Sequence, residues 1–268
     1  MKKTVTICFT NNKGGSGKST TCGNLGAALA GAGKKVLLVD GDMQLNLSLS
    51  FFNEEEVLEM AESRRNLYYA AAEQQDALPF AVPTRIENVD LIPSSMRMSL
   101  IERQLAEAPL PRGRRRERVL SDCLTSARNS GKYDYILIDA PPTLGLWVMN
   151  ILCASDYVVI PVEASPWGMF GLANMLDFLN EAREISPSTE MMGIVVTKAD
   201  VRKGYFKQTM ETLRELDGIY VFQSFIRVDS NIEWAQDVSS PVVAFKKSSR
   251  SAKEYIEFAK EVEKRAGR

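Results

Sequence analysis

Asn12-Lys13-Gly14-Gly15-Ser16-Gly17-Lys18-Ser19-Thr20 is the stretch on which the fold turns. It follows a run of strand-forming residues at 4–9. It opens a helical pattern in which Leu25, Ala28, Leu29 and Ala32 share one face before Gly33. Strand, glycine-rich turn and helix in that order make a phosphate cradle. The glycines let successive backbone N–H groups close around phosphate oxygens, and the helix N-terminus adds a favourable dipole. Lys18 reaches the β- and γ-phosphates, and the Ser19 hydroxyl is the expected Mg²⁺ ligand. Residues 12–20 are therefore the expected site for ATP or GTP. The common G-x-x-x-x-G-K-[ST] pattern needs glycine where Asn12 stands, and Lys13 supplies a second cation inside the loop.

Outward from this segment, near-continuous Val, Ile, Leu and Tyr runs recur at 36–39, 135–138, 157–162 and 193–197. Such runs suit strands covered on both faces. Helical patterns lie between them, including one with Val119, Leu120, Cys123, Leu124 and Ala127 on a face. The βαβα rhythm predicts a doubly wound α/β fold, a mostly parallel β-sheet flanked by helices with ligands at the carboxyl ends of its strands. No repeat or linker divides the chain, so residues 1–268 read as one domain. Residues 53–88 are less regular. Asn53 before Glu54-Glu55-Glu56 reads as a capped helix start, Pro79 and Pro83 break the pattern, and the whole reads as surface elaboration.

Composition narrows the chemistry. Lys plus Arg is 33 and Asp plus Glu is 34 in 268 residues, a net charge of −1, which excludes a strongly basic nucleic-acid module in bulk. There are no histidines, so Ser-His-Asp and Cys-His catalysis and His-ligated metals are excluded. The four cysteines at 8, 22, 123 and 153 form no C-x-x-C pair, which leaves them as buried small hydrophobes in a reducing cytosol. The apolar run ending at Phe9 is too brief for a signal-peptide core, and no stretch is long enough to span a bilayer. A cytoplasmic protein is the expectation. Chemistry then rests on hydroxyls, lysines, backbone amides and carboxylates. Asp40 and Asp42 close the second run. Asp139 closes the 135–138 run ahead of Ala140-Pro141-Pro142, placed to hold the Mg²⁺ shell directly or through water. Ser19, Asp42 and Asp139 are the metal candidates.

Nearly the whole chain resembles the ParA/MinD group of deviant-Walker-A P-loop ATPases, and the ParA partition ATPases most of all. Residues 13–20 match the deviant loop, 36–46 its switch I, and 133–145 its Walker B and switch II. The resemblance implies ATP as the nucleotide and an ATP-dependent homodimer in which Lys13 reaches the partner's phosphates. It implies catalytic roles for Lys13, Lys18, Asp42 and Asp139, with Asp42 positioning the attacking water and Asp139 in the metal's second shell. It also implies non-specific DNA binding in the dimer, nucleoid association in that state, and stimulation by a ParB-like centromere-binding protein. Met43 and Leu45 depart from the family's Pro and Gly. Residues 166–171 depart from its Tyr-Tyr-Ala-Leu-Glu-Gly stretch.

Arg202 and Arg227 occupy positions where partition ATPases carry DNA-contacting arginines, with Lys246, Lys247 and Arg250 as weaker candidates. The residues 200–250 carry eight basic and seven acidic side chains, a net of +1, so only clustering in space makes a patch. The five arginines at 112–118 read as a solvated helix start. At the carboxyl end, Ala252, Tyr255, Ile256, Ala259 and Val262 form a narrow apolar stripe amid balanced charge, suited to docking on the domain rather than on a membrane. A protein-cargo positioning ATPase is the alternative function, and a metabolic ATP-dependent enzyme the third.

Overall fold

The structure, a computed structural model, describes residues 3–165 and 167–267. Its strands are β1 (Val5–Phe9), β2 (Val36–Asp40), β3 (Val82–Pro83), β4 (Val89–Ile92), β5 (Tyr135–Asp139), β6 (Tyr157–Glu163) and β7 (Glu190–Thr197). They form one sheet in the order β3-β4-β2-β5-β1-β6-β7, parallel except for the edge strand β3. Every residue of β1, β2 and β5 is buried, as the unbroken apolar runs require of strands covered on both faces. Alternation within β5 divides the core in two. Tyr135 and Leu137 join Ile7, Phe9, Leu25 and Leu38 on one face, while Ile136 and Ile138 join Trp147, Val148 and Ile151 on the other.

The helices follow the same economy of pattern. The first, α1 (Lys18–Gly31), starts at left-handed Gly17 and stops where Gly33 takes φ 81°. Next come α2 (Asn46–Leu49) and α3 (Glu54–Glu62), the latter opened by a full capping box. The Asn53 side chain accepts from Glu56 N, and the Glu56 carboxylate accepts from Asn53 N. The segment read as surface elaboration is a correction. Helix α4 (Leu67–Ala72) buries Leu67, Tyr68, Ala70 and Ala71 in the core, and the chain then returns as β3 and β4 to widen the sheet. Pro83 is tolerated because β3 is an edge strand.

Beyond α5 (Ile101–Glu107), the helix expected across 119–127 is two: α6 (Val119–Cys123) and α7 (Thr125–Asn129). At the break, the Thr125 hydroxyl donates back to Ser121 O at 3.1 Å, the competition with the backbone that weakens Thr in helices. The chain continues through α8 (Leu146–Cys153), α9 (Leu172–Ile185), α10 (Gly204–Arg214), α11 (Ser230–Asp237) and α12 (Val242–Phe245) to α13 (Arg250–Arg265). As the stripe predicts, α13 packs on α1. It buries Ala252, Tyr255, Ala259 and Val262 of the stripe, with Phe258 in addition and Ile256 only half-buried, at roughly 1.5–3 kcal/mol for each large buried side chain. Among the described residues no helix is long and apolar enough to cross a membrane.

Candidate nucleotide site

The loop after β1 sits at the carboxyl edge of the sheet, where β1 lies between β5 and β6. Gly15 and Gly17 take φ 75° and 85°, conformations that L side chains rarely adopt, so the loop curls back on itself before α1 begins at Lys18. Its shape is fixed from the neighbouring strands. Asn11 Nδ2 donates to Pro161 O at 2.7 Å, and Asn11 Oδ1 accepts from Lys13 N at 3.0 Å. On the other side, the Thr197 hydroxyl at the end of β7 donates to Ser16 O at 2.8 Å.

Lys18 is only 6% exposed, and its ammonium donates to Lys13 O at 3.3 Å. Burial lowers its pKa, a pull opposed by the nearby charges of Asp139 and Asp42. Lys13 behaves differently. Its ammonium pairs with Glu163 Oε2 at 2.9 Å and donates to Ser165 Oγ at 3.3 Å, both in the same chain.

The three acids divide their labour. Asp40 is fully buried and saturated. Oδ2 accepts from Ser48 N (2.9 Å) and Ser48 Oγ (2.6 Å), and Oδ1 accepts from Asp42 N at 3.2 Å. Burial pushes its carboxyl up to about 6, and these hydrogen bonds oppose the rise. Asp40 thus anchors the turn that carries Asp42, whose Oδ1 accepts from Gln44 N at 3.1 Å. Asp139 is the opposite case. Both carboxylate oxygens are buried and meet no donor in hydrogen-bonding geometry, although the Ser19 hydroxyl faces them. Burial, with the Asp40 charge next, holds this carboxyl well above the usual range. Gly41 allows the convergence. A Cβ there would stand 2.6 Å from Asp139 O, and the Gly41 carbonyl accepts from Trp147 Nε1 at 2.9 Å.

A cavity of about 960 Å³ opens over the loop, bordered by Gly14, Gly15, Gly17, Lys18, Ser19, Thr20 and Asp42. A buried carboxylate faced by a serine hydroxyl suits a hard divalent cation with oxygen ligands, so Ser19 and Asp42, which border the cavity, and the fully buried Asp139 beside Ser19 fit Mg²⁺. Of the residues expected at the site, Asn12, Lys13, Ser16 and Asp139 do not line this cavity. The Asn12 side chain instead packs under Gly171 at the head of α9.

The opposite wall, comprising residues 226–229, Ile232, Glu233, Gln236 and Tyr255, was not found from sequence. Its one local signal is Asp229-Ser230-Asn231, an N-cap whose Asp229 carboxylate accepts from Asn231 N. Thr197 and Asn11 likewise carry no motif of their own.

Of the basic residues proposed for DNA, Arg202, Arg227, Lys246 and Lys247 lie outside the helices and Arg250 opens α13. Ala199 bridges to Arg227, Arg227 and Arg250 both pair with Glu254, and Lys246 donates to Asn231 Oδ1 at 3.0 Å. Arg202 is exposed and bound bidentately by Asp200, and Lys247 is exposed. Arg227 also borders the nucleotide cavity. Trp167 and Phe170 are 73% and 77% exposed in the departing 166–171 segment, of which Pro166 lies outside the described residues.

Comparison with known proteins agrees with this geometry. The pattern of a family described as an AAA domain matches residues 4–191. The sporulation initiation inhibitor protein Soj of Bacillus subtilis is 34% identical over 96% of this chain and 97% of its own length. The chromosome partitioning protein ParA of Caulobacter vibrioides is 30% identical over 96% and 92%. A putative plasmid partition protein of Borrelia burgdorferi, crystallised with AMPPNP, superimposes with a TM-score of 0.77 at 26% identity, covering 98% of this chain and 99% of its own. With near-full-length relatives at this identity and the deviant phosphate loop on its expected strand, the chain belongs to the ParA/MinD family of P-loop ATPases.

Proposed function

We propose that the protein is an Mg²⁺-dependent partition ATPase, working as one domain over residues 1–268 in the cytoplasm. The observation that carries this reading is the pairing of a two-lysine phosphate loop with the buried, donorless carboxylate of Asp139. ATP sits with its phosphates against the backbone amides of residues 14–19 and the Lys18 ammonium. Ser19, Asp42 and Asp139 would hold Mg²⁺, which would supply positive charge against the phosphates. Asp42, on a turn fixed by Asp40, orients the attacking water. Lys13 acts in the second protomer of an ATP-dependent dimer. The partition-protein relatives support DNA as the track and a ParB-like protein as the stimulating partner.

A monomer of net charge −1, with Arg202 and Arg227 already paired to acids, has little field for DNA. Dimerisation would set two copies of Arg202, Arg227, Lys246, Lys247 and Arg250 on one assembly, which associates with the nucleoid only in that state. Anisotropy on unrelated duplexes across a salt series tests it, with ATP, with ADP and without nucleotide. Binding should need ATP and fall with log salt at about −0.9 per phosphate contact, and an R202A/R227A variant should flatten the slope. Equal binding in all three states would reject the DNA reading and favour a protein cargo. Lys18→Ala should abolish binding of labelled ATP, and retention would reject the loop as the site. Turnover that rises with DNA plus the product of the adjacent gene would identify the stimulating partner.

A further inference from the structure

The Lys13 side chain is engaged, but not by the nucleotide cavity. Among the described residues it contacts Glu163 and Ser165, the last residue of β6 and the second residue beyond it. The fold makes this pairing inevitable. β1 and β6 are parallel neighbours, so the residues just past β1 and those at the end of β6 meet at the same edge. Asn11 reinforces the register by linking Lys13 N to Pro161 O through its own amide. The pair is neither buried nor free, with side-chain exposures of 24% and 26%.

We propose that Glu163 is a positioning residue for Lys13, holding its ammonium within its own protomer so that assembly of the ATP-bound dimer must first open the contact. The inference rests on the reading of Lys13 as acting across the dimer. A lysine committed to a partner's phosphates cannot also keep its full contact with Glu163 and Ser165, because its three donors hang on a single flexible stem. A partly exposed ion pair restrains its lysine by roughly 2–5-fold in equilibrium terms. Each dimer opens two such contacts, so the restraint enters squared, as roughly 4–25-fold on the dimerisation constant. Glu163 thereby sets how much protein and ATP are needed before the dimer appears.

Sedimentation velocity with Mg²⁺ and a slowly hydrolysed ATP analogue, over a protomer series, tests this on wild type, Glu163→Gln, Ser165→Ala and Lys13→Ala. In parallel, acetic anhydride labelling of the nucleotide-free proteins, read at Lys13 by peptide mass spectrometry, reports the contact itself. Glu163→Gln should dimerise at roughly 4–25-fold lower protomer concentration and acylate Lys13 roughly 2–5-fold faster. Ser165→Ala should shift both in the same direction by less, and Lys13→Ala should stay monomeric. Faster acylation with unchanged or weaker dimerisation overturns the restraint, since the contact would then exist without opposing assembly. Unchanged acylation overturns the contact. Normal dimerisation of Lys13→Ala rejects the trans-lysine reading instead, and that arm is independent of Glu163.

Discussion

The Thr197 hydroxyl donates to the Ser16 carbonyl at 2.8 Å and so ties the last residue of β7 to the middle of the phosphate loop. Ser16 is fully buried, and its own hydroxyl meets no partner among the described residues, so the carbonyl bond is the loop's main restraint on that side. The chain runs directly from Thr197 into the loop that bears Arg202 and bridges to Arg227. A change at the nucleotide therefore has a short covalent route to the basic face.

Thr197→Val keeps the shape of the side chain and removes the donor. Leaving the Ser16 carbonyl buried without it costs about 1–3 kcal/mol, read as a lower urea midpoint, and loosens the loop enough to weaken ATP binding in calorimetry. Thr197→Ser should retain most of both. A valine variant with wild-type midpoint and affinity would mean that the loop holds its shape without β7.

Asp42→Ala separates binding from chemistry. Asp42 borders the cavity and is held on its turn through Asp40, yet it makes no contact with Lys18 at hydrogen-bonding distance among the described residues. The variant should bind ATP and lose about 10²–10⁴ in single-turnover hydrolysis, accumulating as the ATP-bound dimer. Undiminished turnover would move the water-positioning role to Asp139.

How much of this was legible in the sequence depended on whether the signal was local. The phosphate loop, the ends of β2 and β5, the Asn53 capping box and the docking stripe of α13 all announce themselves within a few residues, because strand runs, caps and helical periodicity are short-range. The α4 segment was not legible. Leu67 and Ala70-Ala71 look like any small amphipathic piece until the chain returns through β3 and β4 and they pack into the core. The far wall of the cavity was hidden for the same reason, since residues 226–236 meet residues 14–20 only through the tertiary fold. Glu163 follows the 157–162 run with nothing local to mark it, since its partner Lys13 lies 150 positions away.

The carboxylates should give the nucleotide-free protein an unusual pH response. Asp40 is raised to about 6 and Asp139 well above its ordinary value, both chiefly by burial. Below about pH 4 these groups are protonated in folded and unfolded chains alike. As pH rises, the unfolded chain releases its protons first, so the folded state binds more and their contribution to stability falls with rising pH. For Asp40 the loss is complete above about pH 6 and amounts to about 3 kcal/mol. Asp139→Asn removes the second cost, and its amide still offers an oxygen to the Ser19 hydroxyl that faces this side chain. Thermal unfolding without Mg²⁺ or nucleotide should show Asp139→Asn more stable than wild type at pH 7.5, with the difference shrinking toward pH 4, while ATP turnover is lost. A variant less stable at pH 7.5 would show that the carboxylate is favourably solvated in the empty site.

Leu45 tests the strain in the switch I turn. It takes φ 62° and ψ 16°, a left-handed conformation that costs an L residue about 1–2 kcal/mol and is a true outlier for a bulky side chain. The conformation is imposed from both sides. Leu45 N donates to Asp42 O at 3.2 Å, and Leu45 O accepts from Leu49 N at 2.8 Å to start α2. What keeps leucine there is burial, since the side chain is only 6% exposed and belongs to the core beneath α1. Leu45→Ala loses that packing, about 2–5 kcal/mol, and keeps the strain. Leu45→Gly loses the same packing and the strain together, against about 0.5–1 kcal/mol of extra chain entropy in the unfolded state. Glycine should therefore equal alanine or exceed it by up to about 1 kcal/mol, the reverse of their order in an ordinary helix, where glycine is worse by about that amount. Paired urea titrations of the two variants decide it. If alanine is the more stable by about 1 kcal/mol, the turn carries no backbone strain, and the left-handed geometry is not what sets the position of Asp42.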